Sequence, residues 1–384
     1  MPSRHQIGPY SLEPVTTQLS RKSRRPLNTR RQEPLEFQEQ CDDGNGIFTA
    51  TVSIAVIGAG YWGEKVIREI LILSRKTRMV SLRSIVDNSP AALERCRKKV
   101  GPLDYRTDYQ SLLSDADLSA VHICTPNSTH FKIASAFIKA GKSVLVEKPL
   151  ALSSREAYEL VELARAYRVV LSTGHFHRFN NGLRALKSTL EPTILGEPHY
   201  LGLEWTGISP PQDQGNVITD LAPHTFDITN CLTGLWPDKI SCIAKGYRNR
   251  ESEEVAFITC EYESGLCAEI EVSLLDFRQR RNLRIVAEKG NANLDFLDQR
   301  VVLQHQHGVV NMPIIPSNIL REEIEHFANC ISRSRLSQIF SNDNDGLLGA
   351  HVVTCLEAAR ESLSEEQSVR VKFPSMNGES VVMN

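Results

Sequence analysis

The chain of 384 residues is short of most features that would mark a specialised protein. Forty-four lysines and arginines stand against 46 acids, a net charge of −2, so it lacks the basic excess of a nucleic-acid binder. No apolar run approaches the ~20 residues that cross a bilayer, so no membrane partner is expected. The longest, in "SIAVIGAG" and "KSVLVEKPL", have the length of buried strands. Nine cysteines include no C-x-x-C pair, and most sit among apolar neighbours, as in "VHICTP" and "FITCEY". That argues against a disulfide framework or zinc cluster and for small core residues in a reducing, cytoplasmic setting. The length suggests two domains.

One segment departs from this evenness. Residues 1–32 carry seven Lys/Arg and one Glu. Pro2, Pro9, Pro14 and Pro26 interrupt any amphipathic helix, and no secretory apolar core is present. An arginine-rich leader of the transit type is one reading; a disordered tail over 1–50, with Gly44 and Gly46 in the linker, is the preferred one.

From residue 51 short apolar strands alternate with amphipathic helices, from "TVSIAVIGAG" and "YWGEKVIREILILS" to "SREAYELVELARAY" and "VVLSTGHF". Repeated βαβ units imply a parallel sheet covered on both faces. After residue 198 the segments become successive strands with turns between them. In "LCAEIEVSL", Leu266, Ala268, Ile270, Val272 and Leu274 share one face; Cys267, Glu269, Glu271 and Ser273 share the other. That alternation predicts a mostly antiparallel open sheet with one buried face. Helices over about 317–333 and 345–362 close the pattern. The expected fold class is α/β: a Rossmann-type parallel-sheet domain over 51–173, then an α+β domain over 174–384 for substrate and oligomer contacts.

"GAGYWG" supplies Gly58, Gly60 and Gly63, with Tyr61 and Trp62 between them, after a strand and at the start of a helix. In that context the glycines allow a tight turn, close approach of a pyrophosphate and helix–strand packing. The anion rests on the helix N-terminus. Asp87 ends the second strand in "SIVDNSP", where a carboxylate accepts bonds from both ribose hydroxyls of NAD and repels a 2′-phosphate. NAD is therefore expected over NADP. A plain βα turn and a helix-capping aspartate are the simpler alternatives.

Taken with "CTPNSTH" (124–130), "EKPLALS" (147–153), "GHFHRFN" (174–180) and "ITDLAPHTFDI" (218–228), the glycine loop resembles the Gfo/Idh/MocA oxidoreductases. The likeness runs over most of residues 51–365. It implies that Lys148 lies beside the nicotinamide, with Glu147 near the cofactor ribose and Pro149 fixing the turn. Thr125, Pro126 and Asn127 would lie along the nicotinamide ribose, with His130 opening the next helix. Arg178 resembles an arginine found near substrate, with His177 and Asn180 beside it; an inter-domain salt bridge is its alternative. The flow of residues 195–234 most resembles nucleotide-sugar dehydrogenases acting on the sugar 3-hydroxyl. The same residues are shared by inositol and sugar dehydrogenases, by NAD-using glycosidases and by non-catalytic NAD-binding sensors.

Asp220 and His224 match the family's D-x-x-x-H pair, and with Asp227 and Cys231 they fall on one helical face. With Pro223 placed in a first turn, Asp220 is read as the N-cap. His224 then sits near the positive end of the dipole, which keeps it neutral as a base must be. A histidine satisfied in the core, or a ligand to an ion, is the alternative; with no third ligand evident, no metal is expected. Asp227 is placed to orient His224 or anchor a substrate hydroxyl, or else faces solvent. The implied chemistry is oxidation of a secondary alcohol of a sugar, sugar nucleotide or cyclitol, with Lys148, His224 and Asp220 catalytic. The polar face holding Glu269, Glu271 and Ser273 is expected to pair into a homodimer or homotetramer.

Overall fold

The computed structural model describes residues 51–191, 194–209, 216–338 and 340–374. The readings of residues 1–50, Cys41 included, lie outside these. Six strands form the first sheet: β1 (Val52–Ile57), β2 (Val80–Val86), β3 (Tyr105–Arg106), β4 (Ala120–Ile123), β5 (Ser143–Val146) and β6 (Leu171–Thr173). Helices α1 (Tyr61–Thr77), α2 (Pro90–Val100), α3 (His130–Lys139) and α4 (Ser154–Tyr167) link them. Every pair is parallel, in the order β3-β2-β1-β4-β5-β6. β4 and β5 are buried at every position because helices cover both faces. The strand order reverses between β1 and β4, and a crevice opens past their carboxyl ends, the usual ligand site of such sheets.

After α5 (Asn181–Ser188) come β7 (Pro198–Ile208), α6 (Val217–Thr233), β8 (Lys239–Lys245), β9 (Val255–Glu261), β10 (Cys267–Ser273) and β11 (Leu275–Ala287). β12 (Gly290–Asp295), β13 (Arg300–His305) and β14 (Gly308–Asn311) follow, then α7 (Ile319–Arg335), α8 (Gly346–Glu365) and β15 (Val369–Arg370). The nine-stranded sheet runs β14-β13-β12-β11-β7-β10-β9-β8-β15. Its neighbours are antiparallel except β7 and β10, which pair in parallel. The alternation in β10 holds with one exception: Ser273, expected on the open face, is buried and its hydroxyl accepts the Leu275 N–H at 3.1 Å. It closes the corner where the chain passes into β11.

Two helices late in the chain tie the sheets together. In α7, Leu320, Ile324, Phe327 and Ile331 pack with Val66, Ile67 and Ile70 of α1 and the residues of β1. Arg321 clamps this contact by two bonds to one oxygen of Glu69, at 2.9 and 2.7 Å. α7 therefore completes the core of the first sheet although it lies 146 residues past β6 in sequence. In α8, Ala350 and Val353 meet the layer under β4 and β5, while Val352, Cys355 and Leu356 meet the second sheet. None of the eight described cysteines is in a disulfide, and no helix among the described residues is long and apolar enough to cross a membrane.

Candidate active site

At the end of β1, Gly58 has φ +103, and a Cβ there would lie 2.6 Å from the Cys124 carbonyl oxygen. Gly63 is tighter: its Cβ would meet the Gly58 carbonyl oxygen at 1.9 Å. Gly60 faces open space, with nothing within 4 Å of a Cβ. The first two glycines are thus required by the protein's own packing, and the third leaves room for a ligand. Beside them a groove of about 660 Å³ is lined by Gly58, Gly60, Asp87, Thr125 and Pro126. Asn88, Thr107, Asp108, Tyr109, Thr129 and Lys132 complete its walls. Asp87 accepts the Ala59 N–H at 2.7 Å on one oxygen and the Ser89 N–H at 2.8 Å on the other, which fixes the carboxylate with lone pairs left over. Ser89 caps α2 itself. Asp87 and Asp108 against Lys132 disfavour a 2′-phosphate, so the lining fits NAD.

Lys148 follows β5 across the sheet's carboxyl edge, and its peptide bond to Pro149 is cis. Its Nζ donates to the Asp220 carbonyl oxygen at 2.7 Å and approaches Oδ1 at 3.1 Å. This contact joins the first sheet to α6, the helix that carries His224. The helix differs from its expected form. Its N-cap is Asn216, whose side chain accepts the Thr219 N–H at 2.9 Å, and Asp220 lies in the first turn. Pro223 lies inside the helix, where it denies the Thr219 carbonyl its usual partner. His224 is therefore two turns in, beyond the reach of the dipole end. It is neutral for another reason: burial pushes its pKa well below the ordinary value, and the Lys148 ammonium adds to the shift.

His224 is packed in a group of rings. The His177 imidazole lies 5.0 Å away edge-on, Phe176 at 5.5 Å and Trp205 at 5.9 Å. Trp205 also touches His177 at 4.9 Å and Phe296 at 5.1 Å. Burial, with Arg281 and His175 adding charge, lowers the His177 pKa to about 3. Arg281 escaped the sequence reading. It is the cross-strand partner of Trp205, its guanidinium is 5.3 Å from that ring, and Nη1 donates to the Thr206 carbonyl oxygen at 2.6 Å. The signal that could have found it is its parity with Leu283 and Ile285, which places an arginine in an inward-facing row.

Several expected site residues are employed elsewhere. Arg178 bonds Asp227 through Nε and Asn230 through Nη2, the latter at 2.6 Å, so its fork is spent on α6. Asp227 is 1% exposed, bound to Arg178 and 3.8 Å from His175; it neither faces solvent nor meets His224. Seven residues past Asp220 and three past His224, it sits against the chain following β6 instead of the cleft. Asn180 is fully buried and caps α5, accepting the Leu183 N–H at 3.1 Å. Glu147 is buried away from the groove and accepts from Trp62 Nε1 and, at 3.0 Å, pairs with His122 Nε2. His122, Cys124 and Glu147 bring possible ligand atoms within 4.8 Å of one another, a grouping that their spacing in sequence hides.

Tyr61 is exposed on the outer groove between α1 and α2, with Lys65 over its ring, and Trp62 turns inward to stack on Phe176 at 5.4 Å. His130 is buried beneath the loops, its nitrogens 2.9 Å from the carbonyl oxygens of Pro149 and Thr125. It braces the two cofactor-side loops from below. Asn127 opens the short turn Asn127–Thr129 that precedes α3.

Comparison with known proteins agrees with this layout. Residues 52–175 match the model of an oxidoreductase family with an NAD-binding Rossmann fold, and residues 183–293 match the GFO/IDH/MocA C-terminal domain. The chain is 30% identical over 251 residues to UDP-N-acetylglucosamine 3-dehydrogenase of Acidithiobacillus ferrooxidans, covering 62% of this chain and 76% of that protein. It is 24% identical over 342 residues to myo-inositol 2-dehydrogenase of Thermotoga maritima, covering 83% and 98%. A solved structure of the Acidithiobacillus ferrooxidans dehydrogenase superposes with a TM-score of 0.73 at 25% identity, covering 82% of this chain and 98% of that one.

Proposed function

This chain belongs to the Gfo/Idh/MocA oxidoreductase family, and from that premise we propose that it moves a hydride between NAD and a secondary alcohol of a sugar, sugar nucleotide or cyclitol. NAD, when bound, supplies the hydride acceptor. The groove past β1 and β4 holds it, with Gly58, Gly60 and Gly63 shaping the pyrophosphate turn and Asp87 at the ribose. Lys148 donates a hydrogen bond to the alcohol oxygen and orients it. His224, neutral through burial, takes the hydroxyl proton. Asp220 holds the Lys148 ammonium and offers its carboxylate to a neighbouring hydroxyl. His177 walls the pocket as an uncharged ring.

The observation that carries this reading is the pair of contacts, at 2.7 and 3.1 Å, between Lys148 and Asp220. Through them the amine at a strand's carboxyl end is held against the helix of the buried imidazole. Both named relatives act on hydroxyl-rich rings, one a nucleotide sugar and the other a cyclitol. Unpaired cysteines support a cytoplasmic setting, and the open face of the second sheet supports a homodimer or homotetramer. The test is NADH absorbance with a panel of sugars, cyclitols and nucleotide sugars. An NAD-loaded protein that forms no NADH with any of them, and whose cellular role survives Lys148→Ala with His224→Ala, is a sensor and not an enzyme.

A further inference from the structure

β11 reads Arg280, Arg281, Asn282, Leu283, Arg284, Ile285. Its outward residues are balanced: Arg280 pairs with Asp276 at 3.2 Å and with Glu204 at 3.6 Å, and Arg284 lies over the Tyr200 ring. The inward row is Arg281, Leu283 and Ile285, facing Trp205, Leu203 and Leu201 in register. Leu283, Ile285, Leu201, Leu203 and Trp205 are all at most 1% exposed. A single guanidinium thus occupies a row otherwise built for the core. The Arg281 side chain is half-buried, and a charge drawn partly out of water is costly unless paired, yet no carboxylate among the described residues lies within ion-pair distance of it.

Its backbone-facing edge is fixed. Nη1 donates to the carbonyl oxygens of Thr206 and Arg280, at 2.6 and 2.7 Å, and the plane rests by Trp205. Asp220 is the carboxylate whose charge reaches it, but Asp220 is already held by Lys148. Among the described residues around His224, the Lys148 and Arg281 cations face the Asp220 carboxylate, while burial keeps both His224 and His177 uncharged. Arg281 and His224 flank the same indole, at 5.3 and 5.9 Å. The guanidinium and the base are separated by no more than those two distances together, a span that one sugar with a charged substituent bridges.

We infer that Arg281 is an anion-recognition residue of the substrate cleft, and that the substrate is a sugar carrying a carboxylate or a phosphate near its reacting hydroxyl. Its free N–H edge is suited to either group, because the guanidinium fork matches both. The inference deepens the oxidoreductase reading and takes the position of the cleft from it.

The test uses the full chain loaded with NAD. Calorimetric titration with glucuronate, UDP-N-acetylglucosamine and myo-inositol separates carboxylate, phosphate and neutral rings, and NADH absorbance follows turnover of each. At least one charged sugar is expected to bind more tightly than myo-inositol. Arg281→Gln should weaken its binding by about 10- to 100-fold, the usual scale for a lost charge-assisted bond. Arg281→Lys should restore part of it, and unchanged NAD affinity in both variants shows that they are folded. Charged sugars that bind no better than myo-inositol, or an Arg281→Gln protein that binds them as the parent does, overturn the inference. Charge-dependent binding without NADH from any sugar would leave the anion subsite standing and remove the oxidoreductase reading. NADH from myo-inositol alone would do the reverse.

Discussion

Replacing His177 with phenylalanine should make the protein less sensitive to acid, by an amount that follows from its surroundings. The imidazole is 9% exposed and lies among Phe176, Trp205, His224 and Phe296, and its Nδ1 has no partner. Burial lowers its pKa to about 3, against about 6.5 in the unfolded chain. Because the folded pKa is depressed, this group's contribution is intact above the unfolded value and is lost as pH falls from there towards the folded one. Near pH 7.5 both states are neutral. Near pH 5 the unfolded chain binds a proton that the folded one refuses, so about 2 kcal/mol of stability is lost through this one residue. Phenylalanine keeps a ring in the cluster and cannot titrate. Urea denaturation followed by tryptophan fluorescence, with Trp205 next to the changed site, should show the variant gaining about 2 kcal/mol on the parent between those pH values. His175 and His224 are present in both proteins, and burial, the largest cause of the lowered pKa of each, is common to both. Parallel stability–pH curves for parent and variant would refute the claim that burial holds His177 neutral.

The glycine loop separates packing from ligand binding. Gly63→Ala must displace the Gly58 carbonyl and should abolish both the native melting transition and NAD binding, whereas Gly60→Ala, facing open space, should melt like the parent and bind NAD at least 10-fold more weakly, as read by fluorescence titration. Lys148→Met removes the donor to the reacting oxygen and should lower kcat by about 10²- to 10⁴-fold. It also removes the ammonium that helps depress the His224 pKa, so the acidic limb of the residual pH–rate profile should move upward; a limb that stays in place would separate the two residues. Light scattering should give a dimer or tetramer, and Phe257→Glu, beside Glu269 and Glu271 on the open sheet face, should shift it towards monomer.

Local pattern determined a large part of this protein. The alternation of strands and helices, the glycine spacing after β1 and the period-2 rows of β10 depend on neighbours a few residues apart, and those are present in any reading of the chain. So are the family motifs, because the chemistry needs those residue types at those spacings. What lay beyond reach was partnership across distance. The sequence placed Arg178, Asp227 and Asn180 near the site but could not say that the first two would pair with each other, or that the third would cap α5. It suggested a cap at Asp220 where Asn216 does that work, since either side chain can accept the same N–H groups. It offered the helix dipole as the reason for a neutral His224; the packing of Phe176, His177 and Trp205 supplied burial instead. Only the tertiary structure returned α7 to the first sheet. Parity with Leu283 and Ile285 tells which way Arg281 faces, but only the register of β11 against β7 set it beside Trp205, because the cross-strand partner is chosen by pairing and not by local pattern.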